Sequence, residues 1–331
     1  MIQAADAYST REGTTWRDVW TMVLGSDPPY SHVTSPITAI FLIYFSAMMA
    51  CYILYKLSEV LVPGFIKIYA LDFFKTMAFI TYGFGHGFVR KYYGNFGYFL
   101  CVVPVNTITV LLFTHGEGNV LGNWKAFLKG QRSFLQVLPR IFVQILSAAG
   151  AWRLGLFIYN LDFFWHLPET AATLATDCKS FLNIPFYLGF LLEMTGVTYD
   201  HWVGSQPMSS HRPLDIFLKF INTASVVCFG SHLTGMFMHP SMASAFSFGC
   251  GSTPIYQHII VYWLGPFTGA FLSIKLSERF VLTSQKSKKV EPPKEKEKSS
   301  QNDSKKKNTK SANDDKISDT ERKVRRRKTK N

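Results

Sequence analysis

Charged residues are scarce in this sequence, which excludes an ordinary soluble domain. They make up 17% of the 331 residues, whereas soluble globular chains carry roughly 25%. The charge is also segregated, because residues 284–331 hold 18 Lys and Arg against 8 Asp and Glu. Hydrophobic residues reach 47%, and phenylalanine alone occurs 29 times. The apolar composition outside the basic tail predicts a membrane protein.

Sequence patterns typical of enzymes and metalloproteins are also absent. None of the nine histidines belongs to a His-Glu-x-x-His motif or a Cys/His ligand cluster, and there is no Gly-x-Ser-x-Gly and no P-loop. The five cysteines have no paired spacing, so we expect small buried side chains rather than a disulfide framework. We therefore predict no enzyme activity, no cofactor and no metal.

Long apolar runs dominate the rest of the chain. Residues 1–36 lack the basic start and early apolar run of a cleaved signal peptide. The next stretch, 37–60, contains an apolar run long enough for an extra transmembrane helix, which needs about 20 residues; a signal anchor or an interfacial helix is the alternative. Six more runs follow, at residues 66–89, 96–113, 133–159, 181–197, 214–233 and 256–281.

The distribution of positive charge predicts the orientation. A loop carrying Lys125, Lys129 and Arg132 and the tail 284–331 are both basic, so the positive-inside rule places them, and the C-terminus, in the cytoplasm. The tail has almost no aliphatic residues, so we expect it to be disordered. Its basic clusters favour anionic lipid over nucleic acid, with an inert solvated tail as the alternative. A loose dibasic pattern at its end predicts a multi-pass protein of the endoplasmic reticulum or another intracellular membrane, rather than the plasma membrane.

The stretch 233–270 contains an interrupted helix, at Met238-His239-Pro240-Ser241-Met242. Proline is tolerated in the first turn of a helix, so Pro240 predicts the start of a short new helix. Such a helix start leaves backbone N–H groups unpaired inside a membrane, which is tolerated only beside a polar cavity or inside protein. We interpret this stretch as one side of a pore.

Beyond the first span the chain divides into two similar halves, which cover about residues 65–160 and 181–283. Asp72 lies in an apolar run and precedes Asn119 by 47 positions, while Glu193 lies in an apolar run and precedes His239 by 46. Three spans per half is an odd number, so the halves must be inverted relative to each other. An inverted repeat with an interrupted helix in each half indicates a transport pathway at the repeat interface.

The second half resembles the aquaporins. The residues that carry the resemblance are Thr234-Gly235, His239-Pro240-Ser241 and Val261-Tyr262-Trp263-Leu264-Gly265-Pro266. In that family the box reads Asn-Pro-Ala, and the last helix carries Tyr-Trp-x-Gly-Pro. The extra N-terminal span and the altered boxes are most similar to the unorthodox aquaporins, also called superaquaporins. The resemblance covers about residues 65–283.

The resemblance implies an all-α membrane protein with six spans and two re-entrant half-helices, in addition to the extra span. The pore boxes would be Asn119-Val120-Leu121 and His239-Pro240-Ser241, with Asn123 as the alternative residue for the first box. It also implies a homotetramer in the lipid bilayer.

Selectivity is expected to differ from that of a water-specific member. Val227 and Met242 stand at positions where such members place a His and an Arg, which favours passage of glycerol or hydrogen peroxide besides water; ordinary packing is the alternative for Met242. His239, with a reference pKa of about 6.5, could make conduction pH-sensitive. The alternative is a helix cap with no contact to solute.

The two carboxylates would support the half-helices by binding loop backbone beside the pore, since a carboxylate inside a membrane needs such donors. An interfacial pair between Asp72 and Lys75 is the alternative. We predict a channel for water and small neutral solutes. Two alternatives stay open: a non-conducting protein that organises membranes or binds partners, and an ion channel or transporter on the same inverted repeat.

Overall fold

A computed structural model describes residues 36–160 and 179–280, which form helices joined by loops and contain no strand. The N-terminal segment, the acidic loop between the two halves and the basic tail lie outside the described residues, so the predictions made for them are not addressed.

The first half of the repeat is preceded by helix α1. Helix α1 covers Pro36–Leu61, α2 covers Gly64–Leu112, the short α3 covers Val120–Leu128, and α4 covers Phe134–Tyr159. The second half contains α5 (Phe186–Gly204), α6 (Arg212–Thr234), the short α7 (Pro240–Ser247), α8 (Ile255–Ile259), a π-helical turn (Ile260–Leu264) and α9 (Gly265–Arg279). The last three form one rod.

Helix α2 consists of two membrane spans. Its 49 residues would measure about 74 Å as a straight helix, more than twice the roughly 30 Å hydrocarbon core of a bilayer. Gly94, with φ 63° and ψ −165°, breaks it into the segments 64–93 and 95–112. A glycine adopts this left-handed φ readily, because it has no Cβ. These segments correspond to the apolar runs 66–89 and 96–113.

Within residues 36–160 and 179–280, five stretches of helix are long and apolar enough to cross a membrane: α1, α2, α4, α6 and the rod 255–279. Helix α5 is less apolar, but it packs against both α6 and α9. It begins at Phe186 and ends at Gly204, later than the run predicted at 181–197, because Pro185 forms its N-cap. The fold is that of an all-α membrane protein built on an inverted repeat.

Each short helix packs against the half to which it does not belong. Helix α3 of the first half packs against α9, and α7 of the second half packs against α2 and α4. This reciprocal exchange joins the two halves and brings the beginnings of α3 and α7 together between them.

Helix α1 is integrated into the helix bundle and does not lie apart from it. It packs along α2 and also contacts α4. The face it buries repeats every four residues, the spacing of one helix face, and its members are Ala39, Ile43, Ala47, Cys51 and Tyr55. Phe41, Phe45 and Ile53 are at least half exposed on other faces, as expected of side chains in contact with lipid tails.

One cysteine departs from expectation. Cys51, Cys101 and Cys228 are free, but Cys250 is disulfide-bonded, which corrects the expectation that the chain contains no disulfide. Its partner lies outside the described residues. Sequence spacing did not indicate this bond, because folding brings the two cysteines together.

Candidate pore between the two short helices

Asn119 and His239 occupy equivalent positions, at the N-caps of α3 and α7. The Oδ1 atom of Asn119 accepts a hydrogen bond from the N–H of Leu121 at 3.1 Å. The Nδ1 atom of His239 accepts one from the N–H of Met242 at 3.3 Å. Each side chain therefore satisfies one of the N–H groups that a helix start leaves unpaired.

Each cap residue also reaches across to the other half. Asn119 donates through Nδ2 to the carbonyl of Met238 at 3.2 Å, and Nε2 of His239 lies 2.8 Å from the carbonyl oxygen of Gly118. Gly118 and Met238 directly precede the two caps, so the contacts are related by the repeat. The short helices thus meet N-terminus to N-terminus through their own cap residues.

The hydrogen bonds of His239 define its protonation state. Since Nδ1 accepts the N–H of Met242, it carries no proton, and Nε2 must be the donor to Gly118. Protonation of Nδ1 would remove the cap and would place a charge between two helix ends that are already positive. The geometry therefore favours capping over titration for this histidine.

Asn123, the alternative residue for the first box, lies inside α3 rather than at its start. Its Nδ2 donates to Oε1 of Gln144 at 2.9 Å, and its Oδ1 accepts from Nη1 of Arg132 at 2.7 Å. Asn123 therefore belongs to a buried polar network beside α3, and Asn119 is the residue at the helix start.

Asp72 supports the chain segment that leads into α3. Its Oδ1 accepts the N–H of Glu117 at 2.7 Å. Arg140 donates to both carboxylate oxygens, from Nε at 2.5 Å and from Nη2 at 2.7 Å. This is a buried bidentate ion pair, a strong and geometrically specific contact. Lys75, the alternative partner, donates to the carbonyl of Gly116 and interacts with Asp72 only electrostatically.

Sequence reasoning missed Arg140, although a signal was available. Arg140 lies inside the apolar run of α4 and is buried. A buried cation inside a membrane span needs a partner, and Asp72 was the acidic residue already assigned to the same half.

Glu193 supports the chain segment that leads into α7. Its Oε1 accepts from the hydroxyl of Thr234 at 2.8 Å and from the N–H of Phe237 at 3.1 Å. Its Oε2 accepts the N–H of Met238 at 3.0 Å. The side chain is fully buried, and these three donors take the place of water.

The segment held by Glu193 has an unfavourable backbone. Met236 and Met238 have φ values of 46° and 49°, in the left-handed region that costs roughly 1–2 kcal/mol for a residue with a Cβ. At the position equivalent to Met236, the first half has Gly116, with φ 75°. Glycine adopts that φ without penalty.

A cavity of about 520 Å³ passes both caps, and Asn119 and His239 both line it. On α2 its lining extends from Lys75 to Arg90, a distance of about 22 Å along the helix and most of a bilayer core of roughly 30 Å. We call its two ends the Lys75 mouth and the Arg90 mouth. The second segment of α2 contributes a lining row at helical spacing, Tyr98, Val102, Asn106 and Val110.

Comparison with known proteins agrees with this geometry. No protein-family profile matches the chain. It is 22% identical over 236 residues to Aquaporin-11 of Milnesium tardigradum, covering 69% of this chain and 82% of that protein. It is 24% identical over 251 residues to Putative aquaporin-12A of Homo sapiens, covering 71% and 78%. Its homologues are aquaporins.

A shorter match points the same way. The Probable aquaporin SIP1-2 of Arabidopsis thaliana is 38% identical over 60 residues, which cover 18% of this chain and 25% of that protein. The resemblance to unorthodox aquaporins is confirmed, and so is the all-α fold. Homology to aquaporins supports a membrane channel rather than an enzyme.

The other residues predicted for an aquaporin pore fall into two groups. Val227 and Met242 line the cavity together with Phe246, so its wall is apolar at this level. The carboxylates and the remaining box residues do not belong to the lining in the described part of the chain; they are buried beside it, and they are Asp72, Glu193, Val120, Leu121, Pro240 and Ser241.

Proposed function

We propose that this protein is a membrane channel for water and small neutral solutes such as glycerol and hydrogen peroxide, which pass along the cavity between the two caps. The observation that carries the proposal is the reciprocal bonding of Asn119 and His239 across the start of the opposite short helix. It fixes two positive helix ends beside one cavity. Each end is equivalent to about half a positive charge, which opposes cations and protons, while neutral molecules pass by exchanging hydrogen bonds.

The donors at the centre of the pore are few. The amide of Asn119 has two N–H bonds, of which one is used for Met238, so the second is available to a solute. His239 has a single N–H when neutral, and Gly118 accepts it. Of the two cap residues, Asn119 is therefore the one that offers a hydrogen bond to a solute.

The apolar wall supports passage of solutes other than water. Val227 and Met242 offer no strong hydrogen-bond donor. The free-energy cost for a solute with a carbon skeleton to pass them is therefore lower than it would be in a polar filter. This is the reason to include glycerol in the proposal; hydrogen peroxide is included because it is a small neutral molecule that exchanges hydrogen bonds as water does.

The test uses the purified full-length chain in liposomes. Light scattering measures water and glycerol flux, and an enclosed dye reports hydrogen peroxide. We expect faster volume changes and faster peroxide entry than in empty liposomes. If the rates for water, glycerol and hydrogen peroxide all equal those of empty liposomes, the channel proposal is removed in favour of a non-conducting role.

An ion channel is the second candidate, and one observation favours it. Glu117 and Asp200 line the Lys75 mouth, where two acidic groups would attract cations. Lys75 and Lys125 line the same mouth, and their positive charges oppose this attraction. Current recording in planar bilayers distinguishes the two, since a neutral-solute pore carries no measurable current.

We also propose the surroundings of the channel. We expect a homotetramer, a cytoplasmic C-terminus, an intracellular membrane such as the endoplasmic reticulum, and contact of the basic tail with anionic lipid. Native mass spectrometry tests the assembly, and fluorescent tagging of the C-terminus with selective permeabilisation tests the location and orientation.

A further inference from the structure

Arg90 is a partly buried cation at the end of the cavity opposite Lys75. It lies on the first segment of α2 and lines the cavity. Its Nε and Nη2 atoms are buried and have no hydrogen-bond partner among the described residues. Leaving buried donors of a charged group unpaired is costly, so a cation held in this way in a native structure indicates a functional role.

The guanidinium packs on one aromatic ring and also interacts with the thiol of Cys228. Its central carbon lies 3.8 Å from the ring centroid of Tyr98, within the distance of a favourable cation–π contact. Tyr98 also contacts the ring of His86, with centroids 5.3 Å apart. Both rings line the same mouth.

Helix α1 completes this cluster. The hydroxyl of Tyr44 lies 2.7 Å from Nδ1 of His86, within hydrogen-bond distance, and Tyr44 is almost fully buried. Gly85 allows this approach, since a Cβ there would lie 2.9 Å from the Tyr44 ring. The helix that precedes the repeat therefore reaches the wall of the cavity through one side chain.

We propose that Arg90 is a selectivity residue of this pore, positioned by Tyr98, His86 and Tyr44, and that α1 is a working part of the pore through Tyr44. The proposal rests on the proposed channel function. A fixed positive charge in a narrow passage of low dielectric repels cations and protons strongly. The part of the guanidinium that lines the cavity donates hydrogen bonds to the oxygen atoms of water, hydrogen peroxide or a polyol, and thereby replaces part of the solute's hydration.

The proposal also accounts for the apolar lining farther in. Val227 and Met242 line the cavity beside the second cap but carry no charge. Among the described residues that line the cavity, Arg90 is the one Lys or Arg at the Arg90 mouth, since Lys75 and Lys125 line the other end. Cation exclusion at that end then depends on this side chain, in addition to the helix ends.

The experiment compares Arg90→Leu with wild type and with the control Arg153→Leu. Arg153 is an exposed arginine on α4 that does not line the cavity. Purified full-length protein in liposomes gives water flux by light scattering, and an enclosed pH dye gives proton leak under a potassium diffusion potential. We expect the ratio of proton leak to water flux to rise about tenfold or more in Arg90→Leu, and to stay at the wild-type value in Arg153→Leu; tenfold corresponds to about 1.4 kcal/mol.

Two further variants keep the test decisive. Arg90→Lys retains the charge and is expected to retain most of the exclusion, even if Arg90→Leu folds poorly. Tyr44→Phe removes only the hydroxyl and is expected to give a leak ratio between wild type and Arg90→Leu. An unchanged ratio in both Arg90→Leu and Tyr44→Phe, with wild-type water flux present, would overturn this inference alone. A wild-type chain without water flux would overturn the proposed function and this inference with it.

Discussion

In the first half of the repeat, the carboxylate beside the short helix has a cation: Asp72 binds the N–H of Glu117 while Arg140 neutralises its charge. In the second half, Glu193 binds two backbone N–H groups and the hydroxyl of Thr234, and no cation is hydrogen-bonded to it among the described residues. Both arrangements hold a short helix with its N-terminus at the centre. The energetic dependence on the carboxylate differs, because one is part of an ion pair and the other is a hydrogen-bond acceptor.

The backbones of the two loops that lead into α3 and α7 also differ. The first half passes its left-handed position with Gly116, whereas the second half has Met236 and Met238 in left-handed conformations. The second half therefore depends on Glu193, Thr234 and side-chain packing to hold an unfavourable loop. The first half depends on charge neutralisation and has little backbone strain.

The largest effect is expected from Asp72→Asn. This change leaves Arg140 as an unpaired buried charge, and breaking a buried pair on one side typically costs about 3–5 kcal/mol of the free energy of unfolding. Denaturant unfolding in detergent micelles measures it. The double variant Asp72→Asn with Arg140→Gln, which removes both charges, is expected to recover at least half of the loss. If Asp72→Asn alone lowers the free energy of unfolding by less than about 1 kcal/mol, the ion pair contributes little to stability.

A smaller loss is expected from Glu193→Gln. The amide oxygen still accepts from two of the three donors, but the amide NH2 group faces the third donor and cannot accept from it. We therefore expect the free energy of unfolding to fall by about 1–3 kcal/mol. The same unfolding experiment measures it. If the loss equals that of Asp72→Asn, the negative charge itself, rather than the accepted hydrogen bonds, holds the second loop, and the contrast between the halves disappears.

Gly116→Ala tests the backbone difference. A Cβ at Gly116 would lie 2.8 Å from Oδ1 of Asp72, on a residue with φ 75°. We expect a loss of about 2 kcal/mol or more from the left-handed backbone and the clash together. Gly130→Ala is the matched control, since Gly130 has φ 67° but no atom within 4 Å of a Cβ; it is expected to lose about 1 kcal/mol. Equal losses would mean that contact with Asp72 adds nothing.

The smallest change in stability is expected from His239→Asn, which gives the second cap the chemistry of the first. Asparagine is a strong N-cap residue, so the free energy of unfolding should change by less than about 1 kcal/mol. Because both ring nitrogens of His239 are occupied, wild-type water flux should be constant between about pH 5 and 8. A wild-type pH response that disappears in His239→Asn would contradict the capping assignment.

Sequence patterns predicted a large part of this architecture. The apolar runs located the spans, Pro240 located the start of α7, and the spacing from Asp72 to Asn119 and from Glu193 to His239 revealed the repeat. These features are local or periodic, so they can be recognised without coordinates.

Other features needed the fold. Asn119 and Asn123 are four residues apart and chemically alike, and only the start of α3 separates a cap from a network residue. Arg140 and Asp72 each stand out in the sequence as a charge inside an apolar run, but they are 68 positions apart and only the fold shows that they meet. Arg90 directly follows the apolar run 66–89, and nothing in the sequence places Tyr98 and the cavity beside it.

The measurement that tests the central claim most directly is water flux through the cavity between the two caps. Val227→Trp is designed to fill that cavity, and Ile259→Trp, at an exposed position of the rod, is its control. Stopped-flow light scattering of liposomes should show fast water efflux for wild type and Ile259→Trp, and a rate near that of empty liposomes for Val227→Trp. Equal rates for Val227→Trp and wild type, or a wild-type rate no faster than empty liposomes, would contradict the account.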